Sequence, residues 1–153
     1  MNGKNVGRAK YLSKRPLGVT VIVIFNILGW ITTEGMWLYL HATRQIPEIA
    51  SMNSFWEKSY IGLVNGFTVA DAIWSNLTLL LAIFGLWKMK PWGWTAAMMA
   101  NAIWVYTMTC TMVRDLSVKI TFGLIFFSIF ALGALASTAY LWHKRSRFWK
   151  TGL

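Results

Sequence analysis

Four long apolar stretches fill most of the chain, at about Leu17–Leu40, Tyr60–Trp87, Trp92–Met112 and Ile120–Trp142. A helix of about 20 residues crosses a hydrocarbon core ~30 Å thick. Each stretch reaches that length. In lipid, backbone polar groups must be satisfied within the protein, and a helix does so inside one segment. The expected fold class is all-α: an integral membrane four-helix bundle. Connections at 88–91 and 114–119 are short enough to force antiparallel neighbours, so the expected order is up-down-up-down. Residues 1–153 are expected to form a single transmembrane domain with one longer outer loop, 41–59. Hydrophobic residues make up 56% of the chain and charged ones 13%, against ~25% charged in soluble domains.

Placement of the cations predicts orientation. Lys4, Arg8, Lys10, Lys14, Arg15, Lys88, Lys90, Lys144, Arg145, Arg147 and Lys150 would share one side, against Arg44, Lys58, Arg114 and Lys119 on the other. Cationic segments stay cytoplasmic during insertion, so both termini are expected in the cytoplasm. The net charge of +10 then points to a bilayer containing anionic lipids as a partner, not to nucleic acid. Trp87, Trp92, Trp94 and Trp142 are expected to anchor the inner interface, and Trp37 and Trp56 the outer one. Ile49, Met52, Phe55 and Trp56 recur at helical spacing, which predicts a short surface helix in the outer loop. Asp115 or Ser117 is available to cap the fourth helix.

Polar residues inside the spans carry the functional expectations. Counted along its span, Asp71 falls near the midplane. An acid there must face protein or water and needs a partner or a proton. Asn26, Asn101 and Ser128 fall at similar depth, so each helix offers one polar group near a single level. Asn65, Thr68, Asp71, Ser75 and Thr78 form a stripe along the second helix. Glu34 is expected roughly 8 Å from Asp71 in depth, near the outer end of its helix. Gly29 with Thr33, and Gly133 with Ser137, have the small-xxx-small spacing of close helix packing; Ser75 belongs to the same interhelical glue.

No metal or cofactor site is identifiable. His41 and His143 fall at opposite faces, and Cys110 is the single cysteine. No phosphate loop or nucleophile–base–acid set is present.

The strings Arg15-Pro16-Leu17-Gly18-Val19-Thr20-Val21-Ile22 and Gly85-Leu86-Trp87-Lys88-Met89-Lys90-Pro91-Trp92-Gly93-Trp94, with the ending Tyr140-Leu141-Trp142, resemble a group of uncharacterised small prokaryotic four-span membrane proteins. The resemblance implies the fold and a multi-pass position in a prokaryotic plasma membrane. It implies no activity.

Two functions are expected from different classes. One is a non-catalytic accessory or structural subunit of a larger membrane complex, partnered by other membrane subunits or by itself. The alternative is a small proton-coupled transporter or channel, acting as a homo-oligomer with Asp71 carrying the proton or ion. A membrane enzyme acting on a lipid is a third class that no residue pattern predicts.

Overall fold

The computed structural model describes residues 15–44 and 53–150. Among them the chain is entirely helical: α1 Leu17–Ala42, α2 Phe55–Trp87, α3 Pro91–Ser117, α4 Thr121–His143 and a short α5 Arg145–Lys150. The first four are long and apolar enough to cross a membrane. Lys4, Arg8, Lys10, Lys14, Ile49 and Met52 lie outside the described residues.

α1, α2 and α3 run longer than the apolar stretches, whereas α4 matches its stretch in length. α2 begins at Phe55, not Tyr60. Ser54 caps it: its Oγ accepts from the Glu57 N–H (3.1 Å), while the Ser54 N–H donates to Glu57 Oε2 (3.1 Å). This reciprocal capping box satisfies two of the amides that a helix start leaves unpaired. Phe55 and Trp56 therefore belong to the first turn of α2. Pro91 opens α3 at a position where its missing N–H removes no bond. α4 starts after Ile120 with no side-chain cap. Ser117 instead donates to the Val113 carbonyl, and Asp115 is buried.

The α2–α3 and α3–α4 turns share one design. Lys90 N–H bonds the Gly85 carbonyl at 2.9 Å, and Ile120 N–H the Asp115 carbonyl at 2.8 Å. Both closures put a non-glycine residue in the left-handed region, Met89 (φ 52°) and Lys119 (φ 61°). Lys119 is exposed. Lys119→Gly should therefore stabilise the protein by about 1 kcal/mol in thermal melts, because glycine adopts this backbone without the steric penalty.

Packing is tightest at the end holding Trp87. The α2 and α3 backbones touch at Gly85 and Gly93, where a Cβ on either would collide with the other's main chain. Arg15 donates to the Trp87 carbonyl (3.1 Å) and lies 3.7 Å over its ring. Trp94 donates to the Leu141 carbonyl (3.0 Å), and its ring meets Trp142 and Trp149. Phe148 of α5 closes a core of Val19, Ile22, Val23, Ala82, Leu86 and Leu141. A second cluster centres on Trp104, packed with Leu79, Ala100, Ala134, Phe25 and Phe130. Gly29 and Gly133 are not points of backbone approach. Gly29 receives the Trp104 ring, and Gly133 the Phe25 ring. Ser137 is buried on α4.

Towards the Arg114 end the helices part. Along Phe55–Ala70 only Ile61 is buried, and this half of α2 packs weakly on the other helices. Leu17, Ile31, Leu63, Trp74, Phe122 and Leu132 all point outward from their helices. Such all-round apolar surface suits a chain solvated by lipid.

Candidate functional site

Asp71 is the first residue of a π-helical segment, Asp71–Ser75, set inside α2. The wider turn interrupts the regular i→i−4 ladder, and π segments of this kind are frequent at functional sites. Ser75, one turn on, is buried and donates its hydroxyl to Asp71 Oδ1 at 3.1 Å. The stripe Asn65, Thr68, Asp71, Ser75 and Thr78 is the inward face of α2, half-buried at first and fully buried from Ser75 on.

Asp71 forms part of the wall of a cavity of about 880 Å³ between α1, the first half of α2, the second half of α3 and the first half of α4. Most of the lining is apolar: Met36, Leu40, Ile61, Phe67, Val113, Phe127 and Phe130. The wall threonines Thr32, Thr107, Thr109 and Thr111 donate to carbonyls of their own helices. Thr33 makes no such bond. Trp37, four residues on and so on the same face of α1, carries a buried indole N–H without a hydrogen-bond partner among the described residues. That indole lies against the Asp71 carboxyl group but outside hydrogen-bond geometry. Trp37 thus lines the cavity. Its i, i+4 relation to Thr33 was the available sequence signal.

Among the described residues the one ion pair joins Arg114 to Asp115 at 2.6 Å. Arg114 lies on the cavity wall and is about half exposed, whereas Asp115 is 1% exposed and rests against Gly123 at the start of α4. Asp71 has no cationic partner among the described residues. Glu34, half-buried, is close enough to feel the Asp71 charge.

The single polar level expected from the sequence divides into two. Gly29 meets Trp104, so Asn26 and Asn101, each three residues towards the Trp87 end, share a level. Asn101 donates to Thr138 at 3.0 Å. Ser128 instead donates to Met112 Sδ (3.2 Å) and to the Leu124 carbonyl (2.7 Å). Ten residues separate Ser128 from Thr138 on α4, which is roughly 15 Å of helix. Ser128 thus belongs with the tier of Asp71, Glu34 and Trp37, whereas Asn26 and Asn101 form a deeper tier. Between them the Trp30 indole donates to Asn76 Oδ1.

Asn26 is fully buried, and neither its Nδ2 nor its Oδ1 has a partner among the described residues. An unpaired buried amide is unfavourable, so Asn26→Leu should raise thermal stability in detergent by about 1 kcal/mol or more. Destabilisation by this near-isosteric change would show that the amide is paired in the folded protein.

His41 and His143 are exposed on different helices, and no group of three or more potential metal ligands occurs among the described residues. Cys110 lies on the cavity wall. No protein-family model, curated protein or solved structure matches the chain.

Proposed function

We propose that the chain is a multi-pass protein of a prokaryotic plasma membrane, up-down-up-down with both termini cytoplasmic, that carries a proton at Asp71 in the course of moving a solute. The observation that carries this reading is the placement of Asp71: a carboxyl group at the head of a π turn, on the wall of a large cavity, with no cation beside it among the described residues. A carboxyl group at membrane depth needs a proton or a partner. Glu34 nearby gives a second acid through which the proton can pass. The eleven-to-four bias of cations supports the orientation. Proton flux into liposomes containing the purified protein, compared with Asp71→Asn, tests the reading; equal flux from both would remove it.

A second reading is favoured by the first half of α2. Phe55, Trp56, Tyr60, Leu63 and Val69 are exposed there, and the segment leans little on its own chain. Another subunit, or a second copy, packed on this half-helix would make the protein an accessory component of a membrane complex or a homo-oligomer. Copurification in mild detergent tests it. A monodisperse monomer active in flux would count against it.

A further inference from the structure

The polar groups that meet the Asp71 carboxyl group are donors. Ser75 gives its hydroxyl to Oδ1, and the buried Trp37 indole N–H lies towards the same group. Donors suit a carboxylate, whereas a protonated acid needs an acceptor for its own O–H. A half-buried carboxylate also calls for a cation, and the ion pair among the described residues joins Arg114 to Asp115 instead. The wall beside Asp71 is apolar and aromatic. Tyr60, Val64, Phe67 and Asp71 line the cavity from one face of α2. Asp71 ends that face, roughly 16 Å along the helix from Tyr60. Phe67 stands one turn from Asp71, and α4 contributes Phe127 and Phe130. We infer that the cavity binds a lipophilic organic cation, its charge at the Asp71 carboxylate and its apolar body along Val64, Phe67 and the phenylalanines of α4.

The inference rests on the reading of Asp71 as the proton-carrying group and names the class of solute that exchanges for the proton. A membrane-embedded carboxyl group is neutralised by a proton or by a cation. As the cation arrives the proton leaves to water, and the charge of the site is conserved. Glu34, close enough to feel the Asp71 charge, makes the site more attractive to a cation. An aromatic ring one turn away adds cation–π attraction. An inorganic ion such as calcium takes about six or more oxygen ligands, and no group of three or more His, Cys, Asp or Glu gathers among the described residues. An anionic solute meets repulsion from Asp71 and Glu34, and Arg114 is already engaged by Asp115. A neutral solute leaves the carboxylate unpaired. The volume, about 880 Å³, lies within the range of small-molecule sites.

Tetraphenylphosphonium and tetraphenylborate, alike in shape and opposite in charge, test it. Binding of each to the full chain in phosphatidylcholine nanodiscs is measured against empty discs. The phosphonium should bind the unsubstituted protein about tenfold more tightly than Asp71→Asn, and the borate should show no uptake beyond the empty discs. Phe67→Leu should weaken phosphonium binding about threefold, and it keeps the test decisive if Asp71→Asn does not fold. Acidification should release the phosphonium, because the proton takes the same carboxylate. Glu34, Tyr60, Cys110 and Arg114, the other titratable or charged groups at the cavity, all remain in Asp71→Asn, so a pH effect of theirs would survive there. Borate binding as tightly as the phosphonium, phosphonium binding unchanged in both variants, or its displacement by millimolar sodium would each overturn the assignment. Infrared spectra of the same discs separate the two readings. An Asp71-dependent carboxyl signal without phosphonium preference removes the organic cation and leaves the acid site; absence of both the signal and the preference removes both.

Discussion

Trp104→Ala is expected to destabilise the folded protein by roughly 3 kcal/mol, the low end of the range for a buried Trp truncation in soluble proteins. The low end applies because lipid, not water, solvates the separated helices, which removes most of the hydrophobic transfer contribution and leaves packing and cavity terms. Trp104 is 2% exposed and fills the hollow that Gly29 leaves on α1. Its ring meets Phe25 and Phe130 edge-on at 5.9 and 5.7 Å, contacts that α1 and α4 share through α3. Collapse into the gap is limited, because Gly29 has no side chain to advance and the Phe25 ring is already seated on Gly133. Denaturation in mixed detergent would measure the loss. A change below about 1 kcal/mol would mean that the second cluster is not a packed core.

Asp71→Asn should lower proton-coupled flux by about a hundredfold or more, the low end of what a positioned proton-transfer group contributes. The change is nearly isosteric, and the amide oxygen still accepts from Ser75, so the fold and the π turn should persist. Asp71→Glu retains the acid and should recover part of the flux. Thermal melting close to that of the unsubstituted protein, together with lost flux, assigns the effect to chemistry. Joint loss of melting temperature and flux would make Asp71 part of the interhelical glue.

The four helices were legible because about 20 apolar residues in lipid leave little alternative to a helix. Their ends were less so: the Ser54–Glu57 capping box was present in the sequence, but apolarity starts at Tyr60, and the start was placed there. Only the depth of Asp71 depends on that start, since the other three helices begin within one residue of the apolar stretches. Asp71, Asn26, Asn101 and Ser128 were levelled by counting from the ends of apolar stretches, while real register follows contacts such as Gly29 with Trp104 and Trp30 with Asn76. The π segment has no sequence signature at Asp71–Ser75, whose residues also fit an α-helical stripe. Likewise the small-xxx-small spacing predicts close helix packing at Gly29 and Gly133, but spacing alone does not say whether a helix backbone or an aromatic ring will occupy the space, and here rings do. Asp71 itself stood out from chemistry, since an acid in an apolar span demands an explanation whatever its neighbours.

Infrared difference spectroscopy of the protein in lipid across a pH titration would show whether Asp71 exchanges a proton within the cavity. A carboxyl C=O band that grows and fades with pH and is absent in Asp71→Asn is the expected result. A pH-dependent carboxyl spectrum identical in the two proteins would mean that Asp71 does not exchange a proton.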